Sequence, residues 1–285
     1  MQSNSNILRY AAFTTDPEGG NPAGIVLDAS ALPDAELQEI AAEVGYAETA
    51  FVVELAIEGD QRHLRLRYFS PVAEVPFCGH ATIATAAVLA RRDGVGPFTF
   101  ETSVGPIFIE TTIVDGMCHA AFTIAPPQIA EFEPGVLAKL LSLLGITEGD
   151  LDPHYHPLVS YAGNWHPVLF FAARDTFDQF TFDPQSARDL MDAQKWPGTI
   201  TTAFAISDTE FETRNIFPVG RISEDPATGS AAAALGGYLR LRNLVTTPTR
   251  VVVHQGRHVG RPSLLSVEIP TIGGIIVSGT AVQIL

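Results

Sequence analysis

The sequence predicts an α+β protein of two similar lobes, each with a sheet wrapped around one buried helix. Three observations predict it. Short segments rich in β-branched and aromatic residues dominate, two helix-length segments carry no charge, and those two segments repeat one local design 150 residues apart.

The strand-like segments come first: Leu8 to Phe13, Ala23 to Leu27, Glu48 to Glu54, His63 to Phe69, Phe98 to Thr102, Ile107 to Ile113 and His119 to Ile124. Turns separate them. Amphipathic helices are fewer. Leu37, Ile40, Ala41 and Val44 follow Pro33-Asp34 at i, i+3, i+4, i+7 spacing, and Leu137, Leu140, Leu141 and Leu144 repeat it after Glu133-Pro134. Each is expected on the outside of a sheet.

Ala81 to Ala90 and Ser230 to Leu239 are different, because helices that are apolar or small all round are buried on every side. Small residues let strands approach such a helix closely. Either one alone also reads as an ordinary core helix. Together they share a design: Cys78-Gly79-His80 precedes the first and Thr228-Gly229-Ser230 the second. Arg67-Tyr68-Phe69-Ser70-Pro71 matches Arg214-Asn215-Ile216-Phe217-Pro218 loosely, and Gly20-Asn21-Pro22 has a counterpart in Gly163-Asn164-Trp165-His166-Pro167. A duplicated lobe is the simplest explanation. The boundary is expected near Ala125-Pro126-Pro127, giving lobes 1–125 and 126–274, with a last strand at 275–285 returning to the first and an active-site cleft between them.

With 285 residues the chain can bury a sizeable core. Its 17 basic and 32 acidic residues give a formal charge of −15, a field that repels nucleic acid and anionic membranes. An anionic substrate must therefore be held by local devices such as helix N-termini. The first six residues lack the character of a signal peptide, and no apolar run is long enough for a membrane helix, so a cytoplasmic location is expected. Cys78 and Cys118 form no Cys-x-x-Cys pair and the histidines are scattered, so neither a metal nor a disulfide framework is expected. Nucleotide-binding glycine loops of the Gly-x-Gly-x-x-Gly or Gly-x-x-x-x-Gly-Lys type are missing too.

The chemistry points to the two helix starts. A glycine directly before a buried helix lets a ligand reach backbone N–H groups, where the helix dipole favours an anion. Gly79 and Gly229 equally serve simply to turn the chain. Glu224, Asp225, Thr228 and Ser230 suit helix capping, His80 suits a satisfied core position, and Cys78 suits a small buried hydrophobe. The same carboxylate, imidazole and hydroxyls at two facing helix ends are the parts needed for proton transfer beside a substrate carboxylate.

Five ordered motifs then carry a resemblance that covers nearly the whole chain. Asp16-Pro-Glu-Gly-Gly-Asn-Pro-Ala-Gly-Ile-Val, Tyr46-Ala-Glu-Thr-Ala-Phe-Val, Phe77-Cys-Gly-His-Ala-Thr, Glu224-Asp-Pro-Ala-Thr-Gly-Ser-Ala and Gln255-Gly-Arg-His-Val-Gly-Arg-Pro-Ser resemble the phenazine biosynthesis PhzF-like isomerase/epimerase family. The resemblance implies the diaminopimelate epimerase fold, two pseudo-symmetric lobes with curled, mostly antiparallel sheets, and a homodimer. It implies a cofactor-independent enzyme that moves a proton on a small anionic metabolite. Glu48 corresponds to the glutamate that carries the proton. His80 and Asp225 fall on assisting positions, and Gly79, Gly229, Ser230 and Asn21 on substrate-binding ones.

Two rivals remain. Related racemases of this fold use a cysteine before each central helix, whereas here Cys78 faces Thr228 in the repeat. A threonine hydroxyl is too weak an acid for two-thiol racemisation, but a single-thiol epimerase or dehydratase using Cys78 stays open. The other is a non-catalytic ligand- or protein-binding member that keeps the cleft.

Overall fold

The computed structural model describes residues 7–218 and 222–285; residues 1–6, where a targeting segment would begin, lie outside them. Chain contacts divide the protein into two compact units. One runs to Thr123 and includes Ser278–Leu285, and the other is Ile124–Val277.

In the first unit β1 (Ile7–Ala12) pairs antiparallel with β2 (Asn21–Val26), and β2 pairs parallel with β3 (Glu48–Glu54). Helix α1 (Asp34–Val44) makes that crossover. β3 pairs antiparallel with β4 (His63–Phe69), which pairs with the short β5 (Glu74–Val75) and, in parallel, with β6 (Gly96–Thr102). Between β5 and β6 runs α2 (Gly79–Asp93). β7 (Gly105–Val114) and β8 (Met117–Ile124) extend the meander.

The second unit repeats this order. β9 (Gln128–Ala130) and helix α3 (Val136–Leu143) lead into β10 (Leu158–Ala162) and β11 (Asn164–Phe170), an antiparallel pair. β11 pairs parallel with β12 (Ile200–Ser207) across α4 (Arg174–Gln179) and α5 (Pro184–Gln194). β13 (Glu210–Ile216) pairs with β12, with β14 (Glu224–Asp225) and, in parallel, with β15 (Thr249–Gln255). Helix α6 (Gly229–Leu241) precedes β15, and β16 (Ser263–Ile269) follows it. β17 (Ile275–Gln283) then pairs with β1, setting Tyr10 opposite Gln283. The two units are thus one α+β topology used twice.

Strand limits follow the residue pattern closely, and β3 shows why. Ala50, Phe51 and Val52 are all buried although successive side chains point to opposite faces, so the strand is covered on both sides. α1 packs Leu37, Ile40, Ala41 and Val44 with Phe51 and Phe69, and α2 also packs on β3. Gly45, in the left-handed region at φ 70°, ends α1 with its N–H on the Ala41 carbonyl. By contrast α5 is mostly polar and buries only Ala187 and Met191. Its start is set by the Asp183 cap, which accepts from the Ser186 N–H at 2.8 Å, and by Pro184.

Both central helices are buried without interruption, from His80 to Ala90 and from Ala231 to Leu239. The need for small residues is direct in α6. Ser160 of β10 donates its hydroxyl to the Ala234 carbonyl at 2.8 Å, and a Cβ added at Gly237 would stand 2.3 Å from the Pro127 ring. Alanine gains about 1 kcal/mol of helix propensity over glycine, but this contact meets a rigid ring. We expect Gly237→Ala to lower the unfolding free energy by about 1–2 kcal/mol net, as read by urea denaturation.

The repeat extends to an ion pair. Arg67 and Glu74 bridge β4 and β5 at 2.7 Å, and Arg214 and Glu224 bridge β13 and β14 at 2.6 Å. The first pair is partly exposed and the second buried, because α4 and the loop after it cover Arg214: Phe177 and Phe180 carbonyls accept from its Nη1 at 3.0 and 3.2 Å.

Candidate active site

In the first unit the start of α2 and the start of β3 meet. Cys78 is extended (φ −140°, ψ 112°) at the N-cap position and its side chain caps nothing. Its Sγ lies 3.6 Å from Glu48 Oε2, 3.3 Å from His80 Nδ1 and 3.7 Å from His80 Nε2, while His80 Nε2 lies 3.4 Å from Glu48 Oε2. A carboxylate, a thiol and an imidazole therefore touch one another. Glu48 keeps 18% of its side chain exposed, against 7% for His80.

Each group is held from behind. Glu48 opens β3, in register with Ala23 of the parallel strand β2. The His80 ring bonds the backbone of Pro22, which has no N–H, so the imidazole donates to the Pro22 carbonyl and its other nitrogen is left as an acceptor. Asn21, buried beside Pro22, opens β2 opposite Ala12. Behind Cys78, its carbonyl accepts from the Thr82 hydroxyl at 2.7 Å, and Thr82 meets the buried Tyr68 hydroxyl at 2.7 Å. Burial pushes the Tyr68 phenol up, out of any working range.

In the second unit Thr228 occupies the place of Cys78. It too is extended (φ −118°, ψ 97°) and does not cap α6. Its hydroxyl instead donates to Asp225 Oδ2 at 2.5 Å. Gln255 fixes the same turn: its Nε2 donates to the Asp225 carbonyl at 2.6 Å and to Thr228 Oγ1 at 3.0 Å, and its Oε1 accepts from the Thr228 N–H at 3.2 Å. Ser230, in the place of His80, meets His166 Nε2 at 3.1 Å, and His166 Nδ1 lies 3.0 Å from the Thr199 N–H nitrogen. Gly229 begins α6 as Gly79 begins α2.

The sequence-derived residues thus form two groups, Asn21, Glu48, Cys78, Gly79 and His80 in one unit and Asp225, Gly229 and Ser230 in the other. Gln255, His166 and Thr199 are additions. Gln255 opens one of the five motifs, and His166 is the partner of Asn21 once the two X-Pro steps are aligned, so both had a signal in the chain. Thr199 had none. Capping by Thr228 is overturned, since Asp225 takes its hydroxyl.

Burial pushes His80 down to about 3 and His166 to about 4 from the ordinary 6.5, because a fully enclosed imidazolium loses its hydration. The unfolded chain takes up these protons near 6.5, whereas the folded chain refuses them until pH falls much further. Stability contributed by the two neutral rings is therefore complete above about pH 6.5 and is lost as pH falls toward 4 and then 3. We expect His166→Asn to flatten the pH dependence of the unfolding free energy in this window by on the order of 1 kcal/mol per pH unit, measured by urea denaturation at several pH values.

A second polar cluster lies within the second unit. Asp178, Glu212 and His258 come together, but Arg257 reaches Asp178 at 2.5 Å and Glu212 at 2.8 Å, and Arg174 reaches Glu212 at 2.5 Å. These carboxylates are engaged in ion pairs.

The sequence profile of the phenazine biosynthesis-like (PhzC/PhzF) proteins matches residues 10–285. The chain belongs to this family. Its similarity to the trans-2,3-dihydro-3-hydroxyanthranilate isomerase of Pseudomonas fluorescens is 30% identity over 260 residues, covering 91% of this chain and 88% of that one. The uncharacterized isomerase YfhB of Bacillus subtilis is 29% identical over 289 residues, covering 98% and 96%. Among solved structures, a PhzF-family phenazine biosynthesis protein of Bacillus anthracis superposes with a TM-score of 0.85 at 27% identity, covering 98% of this chain and 96% of that one. This PhzF-family chain is accordingly an enzyme of the isomerase and epimerase class with the paired α+β fold. No helix among the described residues is long and apolar enough to cross a membrane.

Proposed function

We propose that this PhzF-family chain is a cofactor-independent isomerase that moves a proton on a small carboxylate-bearing metabolite by general acid/base catalysis, with Glu48 carrying the proton. The observation that supports this most is the contact of Glu48 Oε2 with a buried neutral imidazole at 3.4 Å, on a carboxylate that still keeps an exposed side. Glu48 in its ionised form accepts a proton from a carbon made acidic by its neighbours, and in its protonated form returns that proton to another carbon. His80, whose N–H is given to the Pro22 carbonyl, flanks Glu48 without competing for the proton, because its ring stays neutral at working pH. Asp225 assists from the turn it shares with Thr228 and Gln255. Gly79, Gly229, Ser230 and Asn21 hold the substrate, the two glycines through backbone N–H groups at helix starts. A cytoplasmic homodimer completes the reading, and sedimentation of the purified protein tests the dimer.

The test is proton NMR in heavy water, following deuterium entry into dihydro-hydroxyanthranilate, the substrate type named for the Pseudomonas relative, and into a panel of amino and hydroxy acids. Deuterium entering one compound identifies the substrate class; failure of every compound to exchange would sink the reading and leave a binding role.

One observation favours a second reading. Cys78 touches both Glu48 and His80, so a thiol-based epimerase or dehydratase has its base within reach. Loss of exchange in Cys78→Ala with Glu48→Gln tolerated would select it.

A further inference from the structure

We propose that His166 is a positioning residue: it gives its Nε2–H to Ser230, so that the Ser230 hydroxyl turns its own proton toward the substrate carboxylate. The role toward substrate rests on the acid/base reading above; the direction of the hydrogen bond does not.

The direction follows from the far side of the ring. His166 is fully buried and its ring stays neutral at working pH, so it carries one N–H. Its Nδ1 lies 3.0 Å from both the Thr199 nitrogen and the Thr199 carbonyl oxygen, and 3.1 Å from the Thr199 hydroxyl. That hydroxyl already gives its proton to Asn215 Oδ1 at 2.6 Å, where Thr201 also donates at 2.7 Å. The backbone therefore decides. Thr199 is buried, and Nδ1 is the one acceptor that its N–H meets among the described residues. A buried N–H goes unpaired more rarely than a carbonyl, which has two lone pairs. Nδ1 accepts, and the ring proton sits on Nε2.

The near side follows. Nε2 stands 3.1 Å from Ser230 Oγ, so the ring N–H donates and the hydroxyl oxygen accepts. With its nitrogen lone pair used at Nδ1, the imidazole has no place for the Ser230 proton. The ring is held there by close backbone: a Cβ added at Gly198 would stand 2.5 Å from His166 Cε1. Ser230 lies in the first turn of α6 and is only half-buried, so its proton is open to an incoming group. A hydroxyl fixed as a donor, beside the N–H groups of a helix start, suits a carboxylate and disfavours an ammonium.

The test uses the full chain with its histidines enriched in heavy nitrogen. Long-range proton–nitrogen correlation should show the His166 ring, assigned by its loss in His166→Asn, protonated at Nε2 and bare at Nδ1 at neutral pH. Kinetics of deuterium exchange then separate positioning from bracing. An asparagine amide reaches only the place of Nδ1, next to Thr199, whereas a glutamine amide reaches that of Nε2, next to Ser230. His166→Asn should raise KM by more than about tenfold with kcat little changed, the scale of a lost hydrogen bond to a charged group. His166→Gln should recover most of that loss, and in a Ser230→Ala background His166→Asn should add little. A ring protonated at Nδ1 would overturn the assigned direction. An unchanged KM in His166→Asn, or losses that add fully with Ser230→Ala, would overturn the role toward substrate. An absence of exchange in the wild-type enzyme would count against the acid/base reading, and the nitrogen spectrum would still decide the hydrogen bond.

Discussion

Glu48→Gln should leave the fold unchanged and cut deuterium exchange into the substrate by about 10²–10⁴-fold, the range that one positioned proton-transfer group contributes. The amide is nearly isosteric with the carboxyl and can still meet His80 and Cys78, so substrate affinity should change far less than turnover. That split separates the roles. A residue that merely braced the site would move stability, as read by urea denaturation, together with activity. Retention of exchange in Glu48→Gln alongside its loss in Cys78→Ala would instead transfer the base to the thiol. The strand itself is held by its pairing with β2 and β4 and by packing on α1 and α2.

The largest expected stability effect lies at Arg214. Its Nη2 and Nε donate to Glu224 at 2.6 and 3.2 Å, its Nη1 donates to two carbonyls, and its guanidinium lies 3.7 Å over the Phe180 ring. Both side chains are at least nine-tenths buried. Arg214→Met leaves the Glu224 charge enclosed without a partner, and we expect a loss of about 3–5 kcal/mol in urea denaturation. Pairing it with Glu224→Leu should recover much of that loss, because the unpaired buried charge is then gone. Arg67→Met, at the repeat-related position, is the internal control. Its acids Glu74 and Asp34 are 41% and 77% exposed, so about 1 kcal/mol or less is expected. Equal losses at the two arginines would contradict the account. Because Glu224 precedes Asp225 in β14, the Arg214 variant should also lose activity at temperatures where it remains folded.

The chain carries much of this architecture on its surface pattern. β-Branched and aromatic runs mark the strands of the first unit to within a residue or two, since half-buried and fully buried strands both need such side chains. The chargeless stretches beginning at Ala81 and Ser230 mark the two central helices, because no charged residue survives burial on every side unpaired. The 150-residue spacing of Cys78 and Thr228, and of His80 and Ser230, exposes the duplication, which the strand pairings then show element by element. Helix α4 leaves little trace because it is only six residues long, and α5 because most of its side chains face solvent and its start depends on Asp183 and Pro184.

What the sequence by itself determined is therefore periodicity, burial and the position of the two helix starts, all of which follow from local composition. Which side chains meet at those starts was decided by the tertiary structure alone. Glu48 and Cys78 stand 30 residues apart in the chain, and His166 and Ser230 stand 64 apart. Their contacts exist because β3 packs on α2 and β11 packs on α6 at one particular register. The same holds for Thr228, whose residue type suits a helix cap in isolation but whose hydroxyl turns to Asp225 once β14 brings that carboxylate within 2.5 Å. A donor has one proton to give, and only the folded chain fixes which acceptor is nearest.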